Sequence, residues 1–368
     1  MKGNALDGNL CGFPWQREES ALSLGPLMID LRGVELDAEE RELLKHPLVG
    51  SVILFTRNYS GTEQLTRLVA DIRAVRTPAL IVAVDHEGGR VQRFRKGFSA
   101  LPAAHLIGRR FDVDHEAGLE LARATGWLMA AELRAFGIDL SFAPVTDLDY
   151  GVNEVIGDRA FHRDPHAVAA LAGACMAGMR DAGMAATAKH FPGHGAVVAD
   201  SHVALPVDRR PFEDIERDLV PYRRLIANGL AAVMMAHIVY SEVDPLPASL
   251  SRRWVKGVLR GDLRFHGAVF ADDLAMQGAA AGGTMLERAQ LALAAGCDVL
   301  PVCNERAGVR ALLDGFKGQP EPVSFARIAR LRGRPGILPA ELFASSEWRR
   351  AADTVERSFA QPELRLDA

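Results

Sequence analysis

The sequence of 368 residues has few cysteines, and their arrangement suggests neither a bridge nor a metal site. Its four cysteines, Cys11, Cys175, Cys297 and Cys303, are too scattered for a disulfide framework or a CxxC motif. Cys175 and Cys297 lie among alanines and glycines, which is typical of buried free thiols. We therefore expect a protein of a reducing compartment that does not depend on disulfides.

Long apolar runs and blocks of like charge are also scarce. No stretch approaches the roughly 18 apolar residues of a membrane span, and residues 1–20 hold no apolar run of signal-peptide length. The formal net charge is -4, and the nearest approach to a basic block, residues 327–334, is short and followed at once by Pro335. We interpret that patch as a solvated helix end. We expect a cytoplasmic protein with no nucleic-acid partner and no membrane partner.

The chain does contain a repeated alternation of short apolar runs with helical segments. Eight or nine apolar runs read as strands, and their lack of period-2 alternation predicts burial on both faces and hence a parallel sheet. Eight such units close into a barrel, whereas the alternative, a doubly wound open sheet, lacks a G-x-G-x-x-G motif after its first strand. We predict an α/β fold, a single-domain (β/α)8 TIM barrel at 26–345. An N-terminal extension at 1–25 precedes it, and a C-terminal helix and tail at 346–368 follow it.

The predicted elements are short strands separated by longer helices. The strands are placed at 27–31, 51–56, 79–84, 139–145, 184–188, 231–239, 267–271 and 298–302. The principal helices are placed at 116–136, 165–182, 211–228 and 285–295.

Polar side chains close several of these strands. Because the active sites of TIM barrels lie at the carboxyl ends of the strands, side chains that close separate strands meet at one rim. A single charged strand end is often only a solvated cap, but five on one face favour a functional site. The residues concerned are Asp85, Asp147, Lys189 with His190, His237, and Asp272 with Asp273.

The strand at 184–188 runs into a loop, 189–202, with the sequence KHFPGHGAVVADSH. Pro192 and Gly193 exclude a helix there, so His190 and His194, four residues apart, lose the geometric reason for sharing a metal ion. We expect no metal and no cofactor. The alternative hypothesis for this loop is a metal-dependent hydrolase, whose ligands would be His190, His194, His202 and Asp272.

Two carboxylates and one histidine have the chemistry of catalytic groups. Asp200, two positions before His202, can accept from one ring nitrogen and so orient the imidazole, which leaves the other nitrogen to exchange a proton near neutral pH. Asp272 and Asp273 follow an apolar strand, and adjacent residues of an extended chain point in opposite directions. We expect Asp272 to face the barrel centre and Asp273 to be tied to neighbouring backbone or to an arginine.

The same rim carries side chains that could orient a ligand with many hydroxyl groups. These are Asp85, Arg93, Arg159 and Lys189. The alternative for an arginine is a structural ion pair, which for Arg159 would involve Asp158 or Asp147. For the neighbouring Arg90 the structural and functional interpretations are equally good.

Taken together, the motifs match a known family. KHFPGHG followed by D-S-H, with VDHEGGRVQRF upstream, IGDRAF between them and FADDLAM downstream, resembles the bacterial β-N-acetylglucosaminidases of glycoside hydrolase family 3. These are enzymes of peptidoglycan recycling. The resemblance extends from about residue 27 to beyond residue 304 and includes LVGSVILFTRN, FAPVTDLD and AGCDVLPVCN in the same order.

The resemblance implies a single-domain barrel and a retaining mechanism. By position, Asp272 matches the nucleophile, and His202 matches the general acid/base with Asp200 as its partner. The residues that match those holding the sugar are Asp85, Arg93, Arg159, Lys189 and His190. This chain departs from the family in having His86 where Gln is common and Ala271 where Ser is common before the nucleophile.

The implied substrate is a small molecule. It is a muropeptide or N-acetylglucosaminyl-1,6-anhydro-N-acetylmuramic acid (GlcNAc-anhydroMurNAc), and we expect the enzyme to act on it as a monomer. Another β-glycosidase, a glucosidase or a xylosidase, is the nearest alternative within the same class. A sugar-binding barrel without catalysis is a third hypothesis, and the presence of both Asp272 and His202 argues against it.

Overall fold

The computed structural model describes residues 24–198, 205–316 and 321–359. Twelve strands lie in these ranges: β1 (Leu27–Asp30), β2 (Val49–Leu54), β3 (Ile81–Val84), β4 (His86–Gly88), β5 (Val91–Gln92), β6 (Leu140–Ser141), β7 (Thr187–Phe191), β8 (Val207–Asp208), β9 (Ala232–Met235), β10 (Val239–Tyr240), β11 (Ala268–Phe270) and β12 (Leu300–Val302). The α-helices of the same ranges are α1 (Ala38–Lys45), α2 (Thr62–Ala74), α3 (Ala104–Val113), α4 (His115–Ala135), α5 (Pro165–Asp181), α6 (Phe212–Ala227), α7 (Met285–Ala295), α8 (Arg306–Gly315), α9 (Pro322–Ala329), α10 (Pro339–Ala344) and α11 (Ser346–Arg357). A π-helix, Arg253–Asp262, lies between β10 and β11.

Eight of the strands form one closed ring of parallel neighbours. The order β12-β1-β2-β3-β6 is hydrogen-bonded throughout, as is the order β11-β9-β7. Parallel bridges close the two remaining gaps, one pairing Val145 with Lys189 and the other pairing Phe270 with Val299. The ring follows chain order, so the predicted (β/α)8 TIM barrel is confirmed and the doubly wound sheet is excluded.

The continuous apolar runs of the sequence have a direct structural cause. In β3, Ile81 and Ala83 pack in the barrel interior, whereas Val82 and Val84 pack in the layer between strands and helices. Side chains still alternate along the strand, but both directions lead into apolar surroundings. The sequence therefore shows no alternation of apolar and polar residues.

Helix boundaries follow local capping signals. Asp37 caps α1 and forms a capping box with Glu40, and Thr284 does the same for α7 with Glu287. The predicted helix at 285–295 has the observed bounds, and the one predicted at 116–136 is α4 displaced by one residue.

The bottom of the barrel, opposite the carboxyl ends of the strands, is fastened by two buried aspartates. Asp139 begins the run into β6, and its carboxylate accepts from Arg73 and Arg134 at 3.0 and 3.1 Å. It also accepts from two backbone amides, those of Val82 at 3.0 Å and Gly333 at 3.2 Å. Both carboxylate oxygens thus accept hydrogen bonds, three at Oδ1 and one at Oδ2, which lowers the penalty of burying this carboxylate.

Asp298 has the corresponding place before β12. Its carboxylate accepts from Arg260 at 2.8 Å, from Ser324 at 2.6 Å and from Arg327 at 3.1 Å. Together with Arg332, which binds the carbonyl of Ala79, these contacts tie α9 and the segment after it to the barrel. Residues 327–334 do contain the end of α9, as expected, but the patch is not simply solvated. Arg327 and Arg332 reach acceptors that local sequence does not reveal.

The C-terminal helix α11 packs on the outside of α4. Trp348 Nε1 donates to Glu132 Oε1 at 2.8 Å, and Glu132 also accepts from the amide and hydroxyl of Ser99. Burial raises the pKa of Glu132. One carboxylate thus joins α11, α4 and the loop that follows β5.

None of the helices in the described part of the chain is long and apolar enough to cross a membrane.

Replacing Asp139 by Ala should destabilise the fold by about 3–5 kcal/mol, because it leaves the buried Arg134 and the partly buried Arg73 without their anion. Chemical denaturation followed by circular dichroism measures the change. The matched control is Asp181→Ala, which removes an exposed pair with Arg123 and should cost only about 0–1 kcal/mol. Equal losses in the two variants would contradict an anchoring role for Asp139.

Candidate active site

A cavity of about 570 Å³ opens at the carboxyl ends of the barrel strands. It is lined by six residues predicted from the sequence: Asp85, Arg93, Arg159, Lys189, His190 and Asp272. Asp85 follows β3, Lys189 and His190 belong to β7, and Asp272 follows β11. The parallel barrel therefore brings side chains as far apart in sequence as Asp85 and Asp272 into one cavity.

Asp200 and His202 lie outside the described residues. The described chain reaches Val198 on one side of them and resumes at Leu205 on the other.

One side of the cavity is built on Lys189 and a glutamate that sequence reasoning did not select. Lys189 Nζ lies 2.8 Å from Asp85 Oδ1 and 2.6 Å from Glu87 Oε1. Glu87 also accepts both arms of the Arg159 guanidinium, each at 2.8 Å. Arg159 is thus paired with Glu87 rather than with Asp158 or Asp147.

The charges of this group stabilise one another. Burial opposes ionisation of Glu87, but Arg159 and Lys189 hold the pKa of its carboxyl well below the usual range. Burial likewise opposes the charge of Lys189, and the carboxylates of Asp85 and Glu87 outweigh it, so that the pKa of Lys189 is raised. Two cations face two carboxylates, so this part of the cavity suits a neutral ligand with many hydroxyl groups.

The two arginines of the HEGGRVQR segment, Arg90 and Arg93, differ in their hydrogen-bond partners. Arg90 donates to Asp158 at 2.8 Å and to the carbonyls of Glu154 and Val155, which is the structural role considered for it. Arg93 lies 3.8 Å from Asp85, which is too long for a hydrogen bond, and its buried Nε has no acceptor among the residues that the structure describes. Arg93 therefore keeps donors for a ligand.

Behind the cavity surface, Asp147 orients His190. Its Oδ2 lies 2.7 Å from His190 Nδ1, and its Oδ1 accepts from the backbone amides of His190 and His194. Burial opposes ionisation of Asp147, yet His190 and the hydrogen bonds lower the pKa of this carboxyl. An ionised acceptor requires the hydrogen on His190 Nδ1, which leaves Nε2 for another partner.

The chain on both sides of the segment 199–204 is held by one buried carboxylate. Gly193 packs directly on Asp218, and a Cβ added to this glycine would lie 2.7 Å from Asp218 Oδ1. On the other side, Arg210 Nη1 donates to Asp218 Oδ2 at 2.9 Å and Tyr150 Oη donates to the same oxygen at 3.0 Å. Tyr240 Oη also binds the Gly193 carbonyl at 2.7 Å.

The two aspartates after β11 have different partners. Asp272 Oδ1 accepts from the amide of Asp273 at 2.9 Å. Asp273 is tied to backbone, as expected, because its Oδ1 accepts from the amides of Ala275 and Cys303, each at 3.0 Å. Burial raises the pKa of Asp273 to about 7.

The strand-end residues therefore do not all face the cavity. The side chain of Asp147 is fully buried behind His190, and His237 is fully buried behind Asp273. Among the described residues, no group of three His, Cys, Asp or Glu side chains is arranged to hold a metal ion.

His86, where the family commonly has Gln, lies away from the cavity surface. Its ring packs between Phe94 and Phe98, with ring centroids 5.8 and 5.7 Å away, and only 1% of the residue is exposed. Burial, with smaller contributions from Arg95 and Arg93, lowers the pKa of His86 to about 3. The imidazole is therefore neutral in the folded protein near pH 7.

Fold and site together define a TIM-barrel enzyme whose cavity holds a charge-balanced polar group and, at the end of another strand, the carboxylate of Asp272. The sequence pattern of the glycosyl hydrolase family 3 N terminal domain matches residues 26–329, and the chain belongs to this family.

Curated relatives and solved structures agree with this membership. The chain is 54% identical over 346 residues to a Beta-hexosaminidase of Thioalkalivibrio sulfidiphilus (strain HL-EbGR7), covering 94% of this chain and 100% of that protein. NagZ from Neisseria gonorrhoeae, in complex with N-trifluoroacetyl-D-glucosamine, superposes with a TM-score of 0.88 at 44% identity over 92% of this chain and 99% of that one. A glycoside hydrolase family 3 beta-N-acetylglucosaminidase from Paenibacillus sp. str. FPU-7 gives a TM-score of 0.79 at 31% identity, covering 90% and 67% of the two chains.

The resemblance inferred from the motifs is thereby confirmed. So is the prediction of a glycoside hydrolase of the β-N-acetylhexosaminidase class.

Replacing His86 by Gln should remove part of the loss of stability on acidification. The unfolded histidine binds a proton near pH 6.5 and the folded one only near pH 3. The neutral ring therefore contributes fully above pH 6.5, and this contribution is lost as the pH falls towards 3. Between pH 7 and pH 5 the free energy of unfolding should therefore fall by about 2 kcal/mol more in the wild type than in His86→Gln.

Denaturant unfolding of both proteins at pH 7, 6 and 5 measures this difference. The exposed His266→Gln serves as the control and should follow the wild type. Parallel stability curves for the wild type and His86→Gln would contradict the burial of a neutral His86.

Proposed function

We propose that the chain is a retaining exo-β-N-acetylglucosaminidase. It removes terminal β-linked N-acetylglucosamine from cytoplasmic peptidoglycan fragments, GlcNAc-1,6-anhydro-MurNAc with or without peptide. Asp272 forms the covalent glycosyl-enzyme, and His202 with its partner Asp200 acts as general acid and then general base. The observation that carries the proposal is Asp272 lining the same cavity as the group of Asp85, Glu87, Arg159 and Lys189.

The sugar is held by Lys189, Arg93 and His190, which line the same cavity as the nucleophile. Lys189 uses two of its donors on Asp85 and Glu87 and has a third for a hydroxyl, while Arg93 and His190 keep donor or acceptor atoms of their own. The relative from Neisseria gonorrhoeae in complex with N-trifluoroacetyl-D-glucosamine supports an N-acylated glucosamine as the ligand.

The reaction has two steps through this arrangement. Asp272 attacks the anomeric carbon while the protonated imidazole of His202 gives its proton to the departing oxygen. The neutral imidazole then takes a proton from water as the water oxygen attacks the anomeric carbon and the bond from this carbon to Asp272 breaks, which releases N-acetylglucosamine and restores the Asp272 carboxylate. A histidine can do this near neutral pH without the raised pKa that a carboxylic acid needs in the same role.

The variant Asp272→Ala should abolish hydrolysis of an aryl β-N-acetylglucosaminide, with a loss on the order of 10³-fold or more in kcat, because no other group replaces the nucleophile. The matched control, Asp262→Ala, changes an exposed aspartate and should retain full activity. Full activity in Asp272→Ala would overturn the assignment.

The same assay separates the alternatives. Among aryl β-glycosides, the N-acetylglucosaminide should be cleaved far faster than the glucoside or the xyloside, and a chelator should leave the rate unchanged. A preference for glucoside or xyloside would favour another β-glycosidase, and loss of activity on chelation would favour the metal-dependent hydrolase.

His202→Ala should harm substrates with poor leaving groups much more than activated ones, by about 10²–10⁴-fold for the former, because only poor leaving groups need protonation. The measurement is kcat/KM for a dinitrophenyl and an alkyl N-acetylglucosaminide. Equal losses on the two substrates would contradict the role of proton donor.

A further inference from the structure

A buried imidazole lies directly behind the segment that carries Asp272. His237 follows β9, and none of it is exposed to solvent. Its Nδ1 lies 2.6 Å from Ser249 Oγ, and its Nε2 lies 2.9 Å from the backbone carbonyl oxygen of Asp273. The sequence placed His237 among the strand-end residues, yet nothing in the sugar cavity or the two-step reaction uses it.

The partners of His237 determine which ring nitrogen carries the hydrogen. A carbonyl oxygen only accepts, so Nε2 is the donor towards Asp273. Burial lowers the pKa of His237, which keeps the ring neutral, so Nδ1 is an acceptor and the Ser249 hydroxyl donates to it. Ser249 is itself held by its amide, which binds the Ala236 carbonyl at 3.1 Å, and by Cys297 Sγ, which donates to its carbonyl at 3.4 Å.

The carbonyl that His237 holds belongs to the residue that orients the proposed nucleophile. The amide of Asp273 donates to Asp272 Oδ1, and the Asp273 side chain is fixed by the Cys303 amide on the neighbouring strand. A further contact, from the Leu274 amide to the Pro301 carbonyl at 2.9 Å, fixes the residue that follows. His237 holds this turn from the side of β9, whereas the other contacts hold it from the side of β12.

We propose that His237 is a positioning residue for Asp272. Ser249 selects the Nε2–H form of the ring, and the ring holds the Asp273 carbonyl so that the Asp272 carboxylate keeps its direction towards the anomeric carbon. The inference rests on the proposed function, since it assigns His237 a role only if Asp272 is the nucleophile. Because His237 is enclosed, it acts through Asp273 and does not contact the substrate.

The variants His237→Gln and His237→Leu test this role. A glutamine can place an amide N–H near the position of Nε2, whereas leucine removes the donor and fills the space. We expect kcat/KM of His237→Leu to fall about 100-fold, the scale of a small misplacement of a reacting group. His237→Gln should regain at least about tenfold of this, corresponding to one hydrogen bond of about 1.4 kcal/mol.

Two further readouts separate positioning from general damage. The loss in His237→Leu should be equal for activated and poor leaving groups, since attack by Asp272 occurs in both. The inhibition constant of N-acetylglucosamine should stay within about twofold of the wild type, a difference far below the tenfold that 1.4 kcal/mol represents. The matched control, His266→Leu, changes an exposed histidine and should leave all these values unchanged.

Ser249→Ala gives an independent test if His237→Leu does not fold. It removes the donor that selects the ring form while keeping the imidazole, so kcat/KM should fall by about 3–10-fold, the equivalent of one neutral hydrogen bond. The proposal would be overturned by wild-type kcat/KM in Ser249→Ala, His237→Gln and His237→Leu alike. It would also be overturned if the glutamine variant were no more active than the leucine variant. A weakened inhibition constant in His237→Leu would have the same consequence, because it would place the damage in the sugar cavity.

The failure of this inference is distinguishable from failure of the proposed function. If Asp272→Ala keeps full activity, the nucleophile assignment fails and His237 has nothing to position. If Asp272→Ala is inactive and the His237 variants behave as wild type, only the positioning role of His237 is lost.

Discussion

The pairing of Glu87 with both Lys189 and Arg159 is the interaction on which the cavity depends. These three charged side chains come from the turn after β3, from β7 and from the short helical turn at Gly157–Arg159, and all three are almost fully buried. A buried charge without its partner is costly, so each of these segments is held in place by the other two. With Asp85, which also pairs with Lys189, two cations face two carboxylates, so the charges of the group cancel and it suits a neutral ligand with many hydroxyl groups.

Much of the fold could be predicted because the deciding signals are local. Runs buried on both faces indicated a parallel barrel, and capping residues such as Asp37 and Thr284 located helix starts. The fastening of the barrel bottom could not be predicted in the same way. Asp139 and Asp298 draw partners from segments remote in sequence, and residues 327–334 look like a solvated patch until the acceptors above them are known.

The candidate site was predicted in part for the same reason. The rule that strand ends meet at one rim selected Asp85, Lys189 and Asp272, and each lines the cavity. The rule does not say which way a strand-end side chain points, so it could not separate these from Asp147 and His237, which are buried behind the surface. Glu87 was missed because its role depends on reaching two cations from other parts of the barrel, and no spacing in the sequence expresses that. The specific assignments of nucleophile and proton donor came from the family motifs rather than from geometry.

The chain on either side of residues 199–204 converges on Asp218, through Gly193 before it and Arg210 after it. These contacts fix the chain on both sides of the segment against the same carboxylate. A change at Asp218 therefore reaches both flanking stretches at once, whereas the ion pairs of Glu87 with Lys189 and Arg159 do not involve it.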